Sequence, residues 1–382
     1  MIRNIIKWIV YRIIYPCDYK ISSVKQIDNN KVIFVENHED HLTDNFVLVY
    51  KELKDRKYDI HIHYLKVASS GWGEIIKRSV ALIKDMATAR YVFLNESNSL
   101  FGSFKLRKET GLIQLWHACG AFKKWGFSVA EKSFGDDENA LRKYSGHRNY
   151  TLMTVSGDEV CWAYEEAFGL TDKKGIVKPL GVSRTDVFFD ENRKREAFDK
   201  LNDIDINLIG KKIIVYLPTF RGSIAGAKGP DAFKVSEMLS LKDEYVILIK
   251  NHPFVKEPSP IPGNAKDYCI EIVDELTVED MLIIADICIT DYSSVVFEYS
   301  LLNKPIIFYA YDIKEYDMER GFYYKYEEFV PGPIVYNMSE LAEAVKGIDQ
   351  FDYERLKDFR NRFMNGCDGQ ATKKLLAAIG ID

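Results

Sequence analysis

What this chain has little of narrows the field first. Its 382 residues include six cysteines (Cys17, Cys119, Cys161, Cys269, Cys288, Cys367), far apart and with no CxxC. A disulfide framework or zinc cluster is therefore not expected, and a reducing compartment suits the chain better. With 11 prolines and 47% hydrophobic residues, wholesale disorder is excluded. No uninterrupted apolar run reaches the ~18 residues that span a bilayer. The apolar N-terminus MIRNIIKWIVYRIIYP is broken by Arg3, Lys7 and Arg12, and no small-residue cleavage site follows it. The expectation is a protein that stays inside the cell. Positive charge is also in deficit, 52 Lys and Arg against 57 Asp and Glu for a net −5, so no nucleic-acid partner is expected. There is no P-loop, and no G-x-G-x-x-G follows the first expected strand.

The N-terminus is the local exception in charge. Ile2, Ile5, Ile6, Ile9, Ile13 and Ile14 recur at helical spacing, and residues 1–26 hold five basic side chains and one acid. Two readings are open. A basic amphipathic helix carrying Arg3, Lys7, Trp8 and Arg12 suits an anionic membrane surface, where each Lys or Arg is worth ~1 kcal/mol. An ordinary helix docked on the first domain has the same pattern.

Beyond it, short β-branched or aromatic runs alternate with helix-length segments. Strands are expected over 31–36, 59–65, 91–95, 113–117 and 151–156, then over 211–219, 245–252, 268–273, 287–291 and 305–309. Alternation of this kind predicts an α/β chain with two parallel, doubly wound sheets. The division expected is a contact segment over 1–26, a first domain over 27–200, a second over 201–350 and C-terminal helices over 351–382. The boundary is placed in the charged stretch 190–212.

In open α/β sheets ligands sit outside the carboxyl ends of the strands, and four strand ends carry chemistry. ICIT is followed by Asp291, Tyr292, Ser293 and Ser294 and then a helix containing Glu298. Either the helix N-terminus receives an anion, with Glu298 accepting from hydroxyls, or it is simply a well-capped helix with a solvated glutamate. YLPTFRGS ends in Thr219, Phe220 and Arg221, whose planar donor fork suits phosphate; the alternative is a surface turn with a solvated arginine. LIKNHP places Lys250 and His252 at a strand end, His252 being either a phosphoryl donor and proton carrier or a structural histidine. IQLWHACGAFKKWG places His117 before small residues, as a general base or again as a structural residue. His61 and His63 share a strand face with no third metal ligand in view.

Read together, QLWHACGAFKKWG, YLPTFRG, ADICITDYSSVVFEYSLLNKPIIFY and RGFYYKYEEFVPGPIV resemble the CDP-glycerol glycerophosphotransferase family of teichoic acid polyol-phosphate transferases. The resemblance runs from about residue 90 to 340. It implies a GT-B-like fold of two Rossmann-like domains facing a cleft, without cofactor or metal. It implies a CDP-glycerol or CDP-ribitol donor on the second domain and an undecaprenyl-diphosphate-linked acceptor on the first, with CMP released. The WH and HP histidines, the expected catalytic pair, fall on His117 and His252. Thr219, Arg221, Lys250, Asp291, Ser293, Ser294, Glu298 and Arg320 fall on the donor side. The basic N-terminal segment would hold a peripheral enzyme on the cytoplasmic face of the membrane. A GT-B glycosyltransferase using a UDP-sugar is the competing assignment, since fold alone does not fix function. Ala118-Cys119 departs from a more frequent glycine-threonine and bears on acceptor preference.

Overall fold

The computed structural model describes residues 2–66, 71–130, 135, 137–204, 206–223 and 226–381, with the side chains of residues 2 and 3, and so that of Arg3, outside the described set. The chain divides into two compact units, Met1–Ala118 with Trp125–Asp186 and Gly366–Asp382, and Cys119–Lys124 with Val187–Asn365.

The first unit begins with a helix, α1 (Ile2–Ile9), that passes through a wider π turn at Val10–Ile14 into α2 (Tyr15–Ser22). Its strands among the described residues are β1 (Asp28–Glu36), β2 (Asp59–Tyr64), β3 (Ala89–Leu94), β4 (Gly111–Gln114), β5 (Leu152–Thr154) and β6 (Val177–Lys178). They form one parallel sheet in the order β2-β1-β3-β4-β5-β6. The crossovers carry α3 (Asp44–Asp55), α4 (Trp72–Met86), α5 (Glu138–Lys143) and α6 (Cys161–Ala167). Near-continuous apolar strands such as Val32–Val35 and Val92–Leu94 are buried on both faces, as a parallel sheet requires.

Of the two readings of the N-terminal segment, the docked helix is the one the contacts show. Val10, Tyr15 and Tyr19 are buried, and Tyr19 stacks on Phe104 at 4.3 Å, so the segment is docked. Its other face leaves Ile5 53%, Trp8 47% and Ile13 46% exposed.

The second unit repeats the pattern with α7 (Glu191–Asn202), β7 (Lys212–Leu217), β8 (Tyr245–Ile249), β9 (Cys269–Glu271), α8 (Val278–Ile284), β10 (Ile287–Thr290), α9 (Val295–Ser300), β11 (Ile306–Tyr309), α10 (Ile313–Arg320) and β12 (Ile334–Val335). Its sheet, again parallel, runs β12-β11-β10-β7-β8-β9. The stretch 190–212 lies wholly inside this unit, and the division falls at Asp186/Val187 instead. The reason is α7: Asp190 caps it, and its Arg193 and Lys200 bind the fully buried Asp280 at 2.5 and 2.9 Å. The helix Ala371–Ala378 belongs to the first unit, where Asp186 accepts from the amides of Ala371 and Thr372 at 2.9 and 2.8 Å.

Candidate functional site

Each sheet reverses its winding once, between β1 and β3 in the first unit and between β7 and β10 in the second. Crevices at such points, outside the carboxyl strand ends, are where α/β folds hold ligands. Glu36 and Asn95 lie at the first of these points and Thr219, Arg221 and Asp291 at the second, with His117 and His252 at the ends of the next strands, β4 and β8.

In the second unit, Asp291 follows β10 and is fully buried. Its carboxylate accepts from the backbone and hydroxyl of Thr219, at 2.9 and 3.0 Å, and from the amide of Tyr292 at 2.6 Å. Arg221 Nη1 stands 3.0 Å from the same carboxylate. Nε and Nη2 of Arg221 bind Asp312 at 2.5 and 2.9 Å, and the Tyr292 hydroxyl donates to Asp312 at 2.9 Å. Tyr292, Tyr311 and Tyr316 surround the guanidinium at 5.1–5.3 Å. Burial works against its charge, but Asp312 and Asp291 outweigh burial and push the Arg221 pKa up. This corrects both sequence readings of Arg221. It is neither solvated nor an open phosphate fork; it ties the ends of β7, β10 and β11 together, with Thr219 and Asp291 in the same knot.

His252, after β8, is half-buried between Phe220 at 4.9 Å and Phe254 at 4.6 Å. The amide of Phe254 donates to Nδ1 at 3.2 Å. An amide only donates, so Nδ1 keeps its lone pair and the neutral ring carries its proton on Nε2, the form that donates to an oxygen. Burial, then the charge of Lys123, push the His252 pKa down. Arg320 lies over the ring of Phe220 at 5.8 Å and reaches the Gly222 carbonyl at 3.5 Å, which brings it to this loop. Lys250 turns elsewhere, its ammonium donating to the Val273 carbonyl.

The helix after Asp291 differs from the expected cap. Ser294 occupies the N-cap position of α9 without a side-chain cap bond, and the Val295 amide meets Ser293 Oγ only at 3.4 Å. Glu298 is 3% exposed, so it is not the solvated glutamate of the alternative reading. The small residues after His117 also have a packing explanation. Gly120 has φ +63°, and a Cβ there would lie 2.1 Å from the Phe297 ring.

In the first unit, His117 is partly exposed and its Nδ1 lies 2.8 Å from Oε1 of Glu96. The carboxylate accepts from Nδ1–H and so favours the tautomer protonated there, which leaves the Nε2 lone pair as the ring's basic site. Trp116 precedes it at φ +60°, a conformation that costs a bulky residue ~1–3 kcal/mol. Gln114 accepts from the Trp116 amide at 2.8 Å, and Phe168 packs edge-on to the indole at 4.9 Å. Those contacts hold the turn that presents His117. Beside it, Asn95 donates to both oxygens of the buried Glu36 at 3.0 Å, and Thr43 donates to Glu36 at 2.8 Å. The loop carrying Glu96 is fixed by that network.

Sequence reading missed Glu96, Asp312 and Lys123 as partners, although Glu96 and Asp312 follow strands β3 and β11 and the strand-end rule reaches both. His61 and His63 prove structural: both imidazoles meet Asp85 Oδ2 at 2.8 Å, and Lys31 pairs with its other oxygen.

With this geometry in hand, the class is defined by comparison. The family model described as CDP-Glycerol:Poly(glycerophosphate) glycerophosphotransferase matches residues 17–380. The chain belongs to this family of teichoic acid polyol-phosphate transferases and has its GT-B-like fold. It is 33% identical over 94% of its length to the teichoic acid poly(ribitol-phosphate) polymerase of Bacillus spizizenii, of which it spans 58%. It is 33% identical over 95% of its length to the teichoic acid ribitol-phosphate primase of the same organism, covering 94% of that protein. It is 34% identical over 79% of its length to the teichoic acid glycerol-phosphate primase of Bacillus subtilis, covering 77% of it. The wall teichoic acid polymerase TagF superposes with a TM-score of 0.76 at 21% identity, over 99% of this chain and 94% of that one. A TagF structure soaked with CDPG gives a TM-score of 0.71 over the same shares.

Proposed function

We propose that this protein transfers glycerol phosphate or ribitol phosphate from a CDP-polyol to the terminal hydroxyl of a lipid-linked teichoic-acid-type acceptor. The observation that carries the reading is the Glu96–His117 pair, which leaves a bare imidazole nitrogen at the carboxyl end of β4, beside the strand that borders the winding reversal. The acceptor oxygen attacks the polyol-bearing phosphorus and passes its proton to His117 Nε2. The phosphoanhydride bond breaks, and CMP leaves with the bonding pair. Negative charge gathers on the non-bridging oxygens, where positioned donors lower the barrier. His252 Nε2–H, Arg320 and the amides following Asp291 supply them in this reading, and no metal is required. The relatives' names and the CDPG-soaked TagF structure support the donor class.

Among the described residues no helix is long and apolar enough to cross a membrane. The exposed apolar face of α1, with Lys7 and Arg12 beside it, supports peripheral attachment at the cytoplasmic membrane face. The test is product analysis with a synthetic lipid-linked primer and labelled CDP-glycerol, CDP-ribitol and UDP-sugars, with and without EDTA. CMP release that survives chelation is expected; UDP release without CMP overturns the reading.

A further inference from the structure

A cavity of about 250 Å³ opens on the first unit, with Phe127 and Leu170 among its walls and His147 at its base. Arg142, Arg148 and Lys173 line it, and among the described residues no carboxylate does. Arg142 has Glu138 as a partner at 2.8 Å, while the Lys173 ammonium donates to the Arg148 backbone carbonyl at 2.5 Å. Burial, then Arg148, push the Lys173 pKa down. His147 adds no charge near neutrality, because burial, opposed by the Phe168 carbonyl, takes its pKa to about 4. Arg142 is answered by Glu138, but among the described residues Arg148 and Lys173 have no carboxylate partner, and an anion would supply one.

The cavity adjoins the N-terminal helix. Arg142 and Lys143 end α5, Lys7 stands 4.5 Å over the ring of the next residue, Tyr144, and Arg12 donates to the Lys143 carbonyl at 2.9 Å. The apolar side chains exposed on α1 therefore share a flank with the cationic cavity. It also reaches the loop of the candidate base: His147 Nε2 lies 2.7 Å from Ser97 Oγ, the residue after Glu96, and Ser99 donates to the Tyr11 hydroxyl at 3.3 Å.

We propose that this cavity is a phosphate subsite, seating the phosphate headgroup of an anionic lipid while the exposed face of α1 lies in the same bilayer surface. The proposal rests on the reading of α1 as membrane-facing. Charge complementarity selects the occupant: three cations converge with apolar side chains alongside, the combination an anionic amphiphile presents in reverse.

The experiment measures partition of the full chain onto phosphatidylcholine vesicles and onto vesicles containing phosphatidylglycerol. Three proteins are compared: the unaltered chain, Arg142→Gln with Arg148→Gln, and a control, Lys51→Gln with Lys57→Gln, on exposed positions of the same unit. All four substitutions fall on the surface, so folding is retained. The cavity pair is expected to lose about 25-fold on the anionic vesicles, roughly fivefold per cation. It should lose nothing on neutral ones, and the control pair less than about twofold on either. Equal losses in the two pairs, or none in the cavity pair, overturn the subsite alone. An unaltered chain that ignores both vesicles overturns the membrane reading, and the headgroup site with it.

Discussion

Glu96 grips His117 by Nδ1 at 2.8 Å, and that single contact decides which imidazole nitrogen is available to an incoming alcohol. Glu96→Gln keeps a hydrogen-bond partner but lets the amide favour the other tautomer. Turnover should fall ~10²-fold or more with the donor KM little changed, and His117→Ala should lose at least as much. Steady-state kinetics with the donor varied at fixed acceptor checks this. A Glu96→Gln enzyme with full turnover would remove Glu96 from the mechanism.

The Arg221 knot predicts a large stability effect from a conservative change. Arg221→Lys loses the paired bonds to Asp312 and leaves Asp291 and Asp312 imperfectly neutralised where water is scarce. A cost of about 3 kcal/mol is expected, read as a lower urea midpoint at unchanged m-value.

Buried His147 makes a pH prediction. Its folded pKa, about 4, lies below the ordinary 6.5, so below pH 6.5 the unfolded chain binds the proton first. Stability from this residue is fully present above pH 6.5, falls as pH drops from 6.5 to 4, and then levels, a total of about 3 kcal/mol. Denaturation midpoints across that range should flatten in His147→Gln relative to the unaltered protein.

Gly120 is predicted to be intolerant. Alanine there meets the Phe297 ring at 2.1 Å in a left-handed backbone, so Gly120→Ala should destabilise by about 3 kcal/mol. A thermal midpoint within a degree of the unaltered protein's would show that the ring moves aside freely.

For the N-terminal segment, Arg3, Lys7 and Arg12 changed together to glutamine should weaken sedimentation with anionic vesicles. Changing Trp8 and Ile13 to serine should weaken binding to neutral ones as well. Unchanged binding by the glutamine variant would leave the apolar face as the whole attachment.

The sequence was most legible where a pattern is carried by backbone periodicity. All ten expected strands are present, and only β6 and β12, two residues each, escaped, being too short to show alternation. Positions of His117, His252, Asp291 and Arg221 at strand ends were also readable. What each side chain does there was not. Whether Arg221 faces ligand or protein depends on Asp312, ninety-one residues away, and a pairing across that distance leaves no local trace. Nothing local tells why residues 118–121 are small, whereas in the fold Gly120 is small because of Phe297. Glu96 follows β3 as the strand-end rule requires, but an acidic residue in a loop carries no distinctive mark in the sequence.

The excursion of Cys119–Lys124 into the second unit carries a practical consequence. A polypeptide begun at Val187 would lack Phe122, whose ring stacks on Phe329 at 4.6 Å and Phe322 at 4.9 Å. One ended at Asp186 would lack Thr372, bound to Ser183 at 2.6 Å. Dissection by truncation would thus yield two fragments with torn interiors, and questions about either half are better put to the intact protein by point substitution.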